Sequence, residues 1–281
     1  MKKLIVFFTV LLAGTAFFAC SDDPEPFPAC GVDEGDSIAV ADLVAAFSLD
    51  ETLGLKADDI DTWEGVSFEF DAVEKKFRVV TLEFKKANQQ KGLPLPGTMA
   101  NLTHLREFTL IVGSCIGPIL DNCIFDLPLE KLTLRGQYPE PGDKNFEPDK
   151  ETGLPFKPMG ELSKDVVKLK PTIKELWLEL RLGGEIPEEI TELDAKIILA
   201  GNAFTGKVPL FVRDCKYPLN LATCQFTEMD WRIYSDNIGN IPKLYNNYMT
   251  RDVPEEVKEK YMDVLRSDYF PQYELPVNTE E

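Results

Sequence analysis

Few side chains in this sequence are spaced to do chemistry. His104 is the one histidine. A single imidazole cannot build a multi-histidine zinc site. It could serve a Ser-His-Asp triad, but no G-x-S-x-G elbow accompanies it. It stands between Leu102 and Leu105, where an extended segment begins, and reads as an exposed loop residue. Neither G-x-x-x-x-G-K-[ST] nor G-x-G-x-x-G occurs, so nucleotide phosphates have no glycine-rich cradle. Asp143, Asn145, Glu147, Asp149 and Glu151 alternate as hard oxygen donors, the ligand type calcium takes. The sharp-turn glycine of a calcium loop is missing and Phe146-Glu147-Pro148 interrupts the run, so a solvated acidic loop is expected and no metal is assigned. Of six cysteines, five follow Cys20, and an odd number leaves at least one thiol free. Cys115 and Cys123 flank one short segment and are the pair best placed to bridge, though the sequence does not assign a disulfide; Cys224 reads as a buried residue of a repeat. No C-x-x-C occurs, so redox catalysis is not indicated. Catalytic residues and cofactors are therefore not predicted, and the chain reads as a non-enzyme.

The start of the chain has its own chemistry. Lys2 and Lys3 precede an apolar run, Leu4 to Phe18, that is too short for a comfortable membrane span and suits a secretory leader. The run stops at Ala19-Cys20, which resembles the lipobox of bacterial lipoproteins, although Phe17 and Phe18 stand where Leu and a small residue are usual. Ser21-Asp22-Asp23-Pro24-Glu25-Pro26 resembles the surface-export signal of Bacteroidota lipoproteins. These resemblances imply a signal peptide over 1–19, an acyl chain on Cys20 and an acidic tether over 20–37. They also imply a bacterial outer-membrane location facing outward, with membrane contact only through the lipid. Loss of Lys2 and Lys3 takes the formal charge from −18 to −20, which repels nucleic-acid phosphates.

The scaffold shows as internal repetition. Counted from the first position of the repeat template, units start at Val79, Leu105, Leu129, Ile173, Asp194, Lys216 and, in degenerate form, Gly239. The spacings are 26, 24, 44, 21, 22 and 23 residues, within the 20–29 range of leucine-rich repeats but for the one holding an insertion over 138–172. Each unit carries an L-x-L pair: Leu82/Phe84, Phe108/Leu110, Leu132/Leu134, Leu176/Leu178, Ile197/Leu199 and Leu219/Leu221. Leu82, Leu110, Leu134, Leu178, Leu199 and Leu221 are expected in one interior column. Gly184-Glu185-Ile186-Pro187 and Asn202-Ala203-Phe204-Thr205-Gly206-Lys207-Val208-Pro209 match the pattern N-x-L-T-G-x-I-P, which resembles the plant-type leucine-rich-repeat family over about 60–265. Ala87, Gly113, Gln137 and Arg181 replace the turn asparagine, so the N-terminal half is predicted to be less regular than the later units. Trp63-Glu64-Gly65-Val66 and Arg78-Val79 resemble that family's cap.

The family resemblance implies an α/β class: a right-handed leucine-rich-repeat solenoid with a short parallel sheet on its concave face. A helical cap over 38–78, with a helix over Ile38–Phe47, would precede repeats over 79–252. A closing helix over Val253–Ser267 would lie in a C-terminal piece over 253–281. Three rows of side chains then face outward. The first, Thr81, Glu107, Lys131, Glu175, Lys196 and Pro218, alternates in charge and should neutralise itself. The second and third bring Thr133, Trp177 and Ile198 beside Ile111, Arg135 and Glu179, a candidate binding patch with an exposed aromatic-aliphatic pair at Trp177 and Ile198. The resemblance implies a monomeric cell-surface module for a protein or peptide, in adhesion or host contact. The alternative partner is a glycan, captured beside a polysaccharide-uptake system.

Overall fold

The computed structural model describes residues 31–139, 143–144, 149–150, 153–234 and 240–274. Cys20 and Cys30 lie outside them, as do Asn145, Glu147 and Glu151 of the acidic run. Among the described residues, no helix is long and apolar enough to cross a membrane.

The L-x-L segments become strands. A hairpin of β1 (Val66–Asp71) and β2 (Lys76–Ala87) opens a six-stranded sheet. It continues in parallel through β3 (Glu107–Val112), β4 (Lys131–Gly136), β5 (Glu175–Glu179) and β6 (Lys196–Ile198). Parallel neighbours need a crossover, and each repeat supplies one. The return side is built of 3₁₀ turns: Gly97–Asn101, Asn122–Asp126, Lys164–Leu169, Glu188–Glu192, Leu210–Asp214 and Trp231–Tyr234. Pro96, Pro187 and Pro209 precede three of them with ψ of 141°, 136° and 140°. Their fixed φ sets the approach and they forgo a donor the first turn would leave unpaired.

Alternation along each strand sends every second side chain inward. Leu82, Phe108, Leu132, Leu176 and Ile197 share one interior column, and Phe84, Leu110, Leu134 and Leu178 the next. All nine are at most 3% exposed. Leu82 therefore stands one column away from its expected place, and Phe84 heads the column that Leu110, Leu134 and Leu178 continue. Bridges between Ile198 and Asn220, and between Asn220 and Lys243, carry the arrangement on past β6.

Register is less regular at the N-terminal end, where β2 shifts against both neighbours, but strand length runs the other way. The sheet is long where the asparagine is absent, with β2 of 12 residues and β3 and β4 of 6 each, and shrinks to 3 residues at β6. Without an asparagine the chain satisfies its backbone by further main-chain bonds: Gly113 donates to Ala87 at 2.8 Å and Gln137 to Val112 at 2.9 Å. With one, the side chain takes over. Asn202, fully buried, donates to Leu178 O (2.7 Å) and Leu199 O (2.8 Å), and its Oδ1 accepts from Leu180 N (3.0 Å) and Leu182 N (2.9 Å). Asn247 repeats this, donating to Leu221 O and Leu244 O and accepting from Phe226 N. Cys224 fills the same position as a buried residue whose thiol donates to Leu199 O at 3.3 Å. Beyond Asn202, β7 (Thr205–Lys207) and β8 (Gln225–Glu228) form a second, two-stranded parallel sheet that the repeat pattern did not foretell.

At the start, α1 (Glu34–Ala46) begins at Glu34 rather than Ile38, because Asp33 caps it by accepting from Gly35 N and Asp36 N. Folded structure thus reaches into the segment expected as tether, and Val32 already bridges to Phe77. A short α2 (Leu49–Leu53) follows. Asp36, fully buried, accepts from Arg78 and from Val79 N (2.7 Å), which ties α1 to β2. Gly65 explains the W-x-G-V motif: its φ is +89°, and a Cβ there would stand 2.4 Å from Glu83 O. At the other end α3 (Glu255–Val264) continues into a π-type turn at Leu265–Tyr269. Val257, Tyr261 and Leu265 are buried on one face, with Val264 half-buried beside them.

Candidate functional site

Register decides which outward side chains meet. Thr133 pairs with Trp177 and Trp177 with Ile198; Ile111 pairs with Arg135 and Arg135 with Glu179. All six predicted patch residues therefore fall on adjacent strands of one sheet face. Their exposure differs from expectation. Thr133 is buried, at 6%, and Trp177 and Ile198 are half-buried rather than open. The Arg135 guanidinium lies over the Trp177 ring, 4.5 Å from its centroid. Arg135 Nε also donates to Glu179 Oε2 at 2.7 Å. The indole Nε1 is buried and has no hydrogen-bond partner among the described residues, an unusual cost for a polar group.

The first row behaves partly as expected. Glu175 and Lys196 close to 3.8 Å, whereas Glu107 and Lys131 stand side by side in register without an ion pair within 4 Å. Lys85 follows a register shift after Phe84 and pairs with Glu83 of its own strand.

Beside the patch lies a cleft of about 600 Å³ that sequence reasoning missed. Its lining includes Gln137, Tyr138, Phe156, Glu179, Arg181 and Thr223. Arg181 stands in the asparagine position at φ +53°. Its guanidinium sits 5.2 Å from the Tyr138 ring and 4.6 Å from that of Phe156, and donates to Pro139 O at 2.5 Å. The extra residues are thereby pinned to the strand ends. Phe156 exchanges two 2.8 Å bonds with the Gln225 amide, and Gly183, lacking a Cβ, admits the Pro158 ring. The described part of the insertion thus rests on Arg181, Gly183 and Gln225. Its later residues, Lys164–Leu169, are the return turn of an ordinary repeat. The signal was present in the sequence, as an arginine where the pattern wants asparagine, but its aromatic partners were not legible.

The other candidates stay apart. His104 Nε2 is 3.5 Å from Asp71 on the surface. Among the described residues, no group of histidine, cysteine and carboxylates could hold a metal ion. Cys115 and Cys123 do not bridge: Cys115 is buried against Val112 O, and Cys123 faces Pro96 O. Burial pushes the thiols of Cys115, Cys123 and Cys224 up to about 12 and that of Cys215 to about 11, so none is a ready nucleophile.

One short strand per repeat, an inward L-x-L ladder and a 3₁₀ return side define an α/β leucine-rich-repeat fold. No family model matches the sequence, and no curated protein matches it. The PEPR1 structure shares the fold, and other solved structures are similar to the chain at lower scores. The PEPR1–AtPEP1 complex is 16% identical with a TM-score of 0.51, over 80% of this chain and 30% of that one. The leucine-rich-repeat ectodomain of the plant membrane receptor kinase GASSHO1/SCHENGEN3 from Arabidopsis thaliana, in complex with CASPARIAN STRIP INTEGRITY FACTOR 2, is 18% identical with a TM-score of 0.47, over 80% of this chain and 28% of that one. Pollen Receptor Kinase 3 is 20% identical with a TM-score of 0.41, over 70% of this chain and 85% of that one. The chain thus spans under a third of the first two, and the likeness is one of fold.

Proposed function

We propose that this chain is a binding module, not an enzyme, that takes a protein or peptide on the outward, concave face of a right-handed solenoid closed by a cap at each end. The observation that carries this reading is the contiguous patch of Ile111, Arg135, Glu179, Trp177 and Ile198. It combines an indole and a held guanidinium, residue types that dominate binding hot spots, with two aliphatic side chains beside them. PEPR1, solved with AtPEP1, gives a precedent for a partner on a related fold. The leader and Ala19-Cys20 support a lipid-anchored, monomeric protein on the outer face of a bacterial outer membrane, in adhesion or host contact.

Peptide-display selection on the exported chain, made soluble by Cys20→Ser, tests the reading. Selected peptides should bind Trp177→Ala about tenfold or more weakly and bind Val73→Ala, at the exposed turn between β1 and β2, unchanged. Peptides indifferent to both Trp177→Ala and Ile198→Asp would overturn it. The half-exposed indole also suits a sugar ring, so the same variants on a glycan array test glycan capture.

A further inference from the structure

We propose that Trp177 and Glu179 form a cation-binding pair that the chain's own Arg135 occupies, and that an arginine or lysine side chain of the partner takes Arg135's place. The inference rests on the patch being the binding surface.

Trp177 and Glu179 are two apart on β5, so both stand on the same face, ring beside carboxylate. An indole face is the strongest aromatic seat for a guanidinium, and a neighbouring carboxylate adds the counter-charge. Arg135 reaches both across the strand gap, at 4.5 Å and 2.7 Å. The pair therefore accepts a guanidinium in a geometry the fold already supports. Space is kept for the carboxylate: a Cβ on Gly201 would stand 2.8 Å from Glu179 Cγ. Arg135 uses Nε on one carboxylate oxygen only. The side chains of Arg135 and Glu179 are 37% and 31% exposed, so an incoming group can reach them and displace the resident one. The buried indole N–H, without an acceptor among the described residues, is a donor that a peptide carbonyl could satisfy once the guanidinium swings away. The formal charge of −18 draws cationic rather than anionic partners toward the surface.

The alternative is that Arg135 is only a structural staple, and the two cases separate by experiment. Acetyl-Gly-Gly-Arg-Gly-Gly-amide and its neutral citrulline counterpart are titrated into the Cys20→Ser chain and into its Arg135→Ala variant. Binding is followed on the indole N–H resonances, with that of Trp177 assigned by Trp177→Phe. Removing the resident guanidinium should tighten arginine-peptide binding about threefold to tenfold. It should shift the Trp177 resonance and leave the citrulline peptide no better bound. Adding Glu179→Gln should erase the gain. Equal or weaker binding by Arg135→Ala, or citrulline matching arginine, overturns the inference. Should Arg135→Ala fail to fold, Arg135→Gln keeps the side-chain length and is read the same way. If display-selected peptides need Trp177 but Arg135→Ala gains nothing, only this inference fails. If they ignore Trp177, the proposed surface fails with it.

Discussion

Asn202→Ala should be among the most damaging changes outside the leucine ladder. The amide is fully buried and serves four backbone groups of two successive repeats: Leu178 O, Leu199 O, Leu180 N and Leu182 N. Alanine removes all four bonds and leaves a void too small to hydrate well. Leu199 O keeps the Cys224 thiol as a donor at 3.3 Å, so three groups lose a bond without that substitute. At roughly 1 kcal/mol for each net bond, the loss is about 3 kcal/mol. Urea unfolding gives the midpoint shift, and Gln137→Ala, an exposed side chain at the equivalent turn, is the control expected within about 0.5 kcal/mol of wild type. Hydrogen exchange gives a local test, because the amides of Leu180 and Leu182 should lose protection first. A loss below about 1 kcal/mol, or unchanged protection at those amides, would refute the claim that this side chain replaces the sheet's own bonding.

Other expectations follow from single contacts. Asp36→Ala leaves the guanidinium of Arg78 buried beside α1 and should cost about 3–5 kcal/mol in denaturant, whereas Asp36→Ala with Arg78→Met should cost less. In a Cys20→Ser, Cys30→Ser, Cys123→Ser chain the three buried thiols, Cys115, Cys215 and Cys224, should ignore an aromatic disulfide reagent at pH 8 and react once urea unfolds the protein; fast native reaction would contradict their burial. Burial raises Cys115 and Cys224 from the ordinary 9.0 to about 12 and Cys215 to about 11. Their contribution is present below about 9 and lost as pH rises toward 12, because the unfolded chain ionises first. Melting temperature should fall across that window and not below it. Cys20→Ala should move the protein from the membrane fraction to the soluble one and abolish fatty-acid labelling; membrane retention would remove the anchor.

The parallel register was readable because it is arithmetic. One repeat returns the chain to the same height, so equivalent positions pair, and Thr133, Trp177 and Ile198 fell into line as the spacing required. Misreadings came where a side chain chose between partners. The asparagine-free turns looked deprived, yet backbone donors such as Gly113 N found carbonyls directly and the strands lengthened. Leu82 was set one column wrong because the second apolar residue of its pair is Phe84. The start of α1 was legible in Asp33, a capping residue, but the apolar run drew attention to Ile38 instead.

The sequence alone determined the repeat, the alternation of side chains along each strand and which of them share a sheet face, since period and pleat are properties of neighbours along the chain. Only the tertiary structure decided what those side chains do to one another. Arg135 covers Trp177 and binds Glu179 from 44 residues away, and Phe156 meets Gln225 across 69. Such contacts depend on which rotamer wins between adjacent strands and on where an inserted loop comes to rest, and local spacing fixes neither.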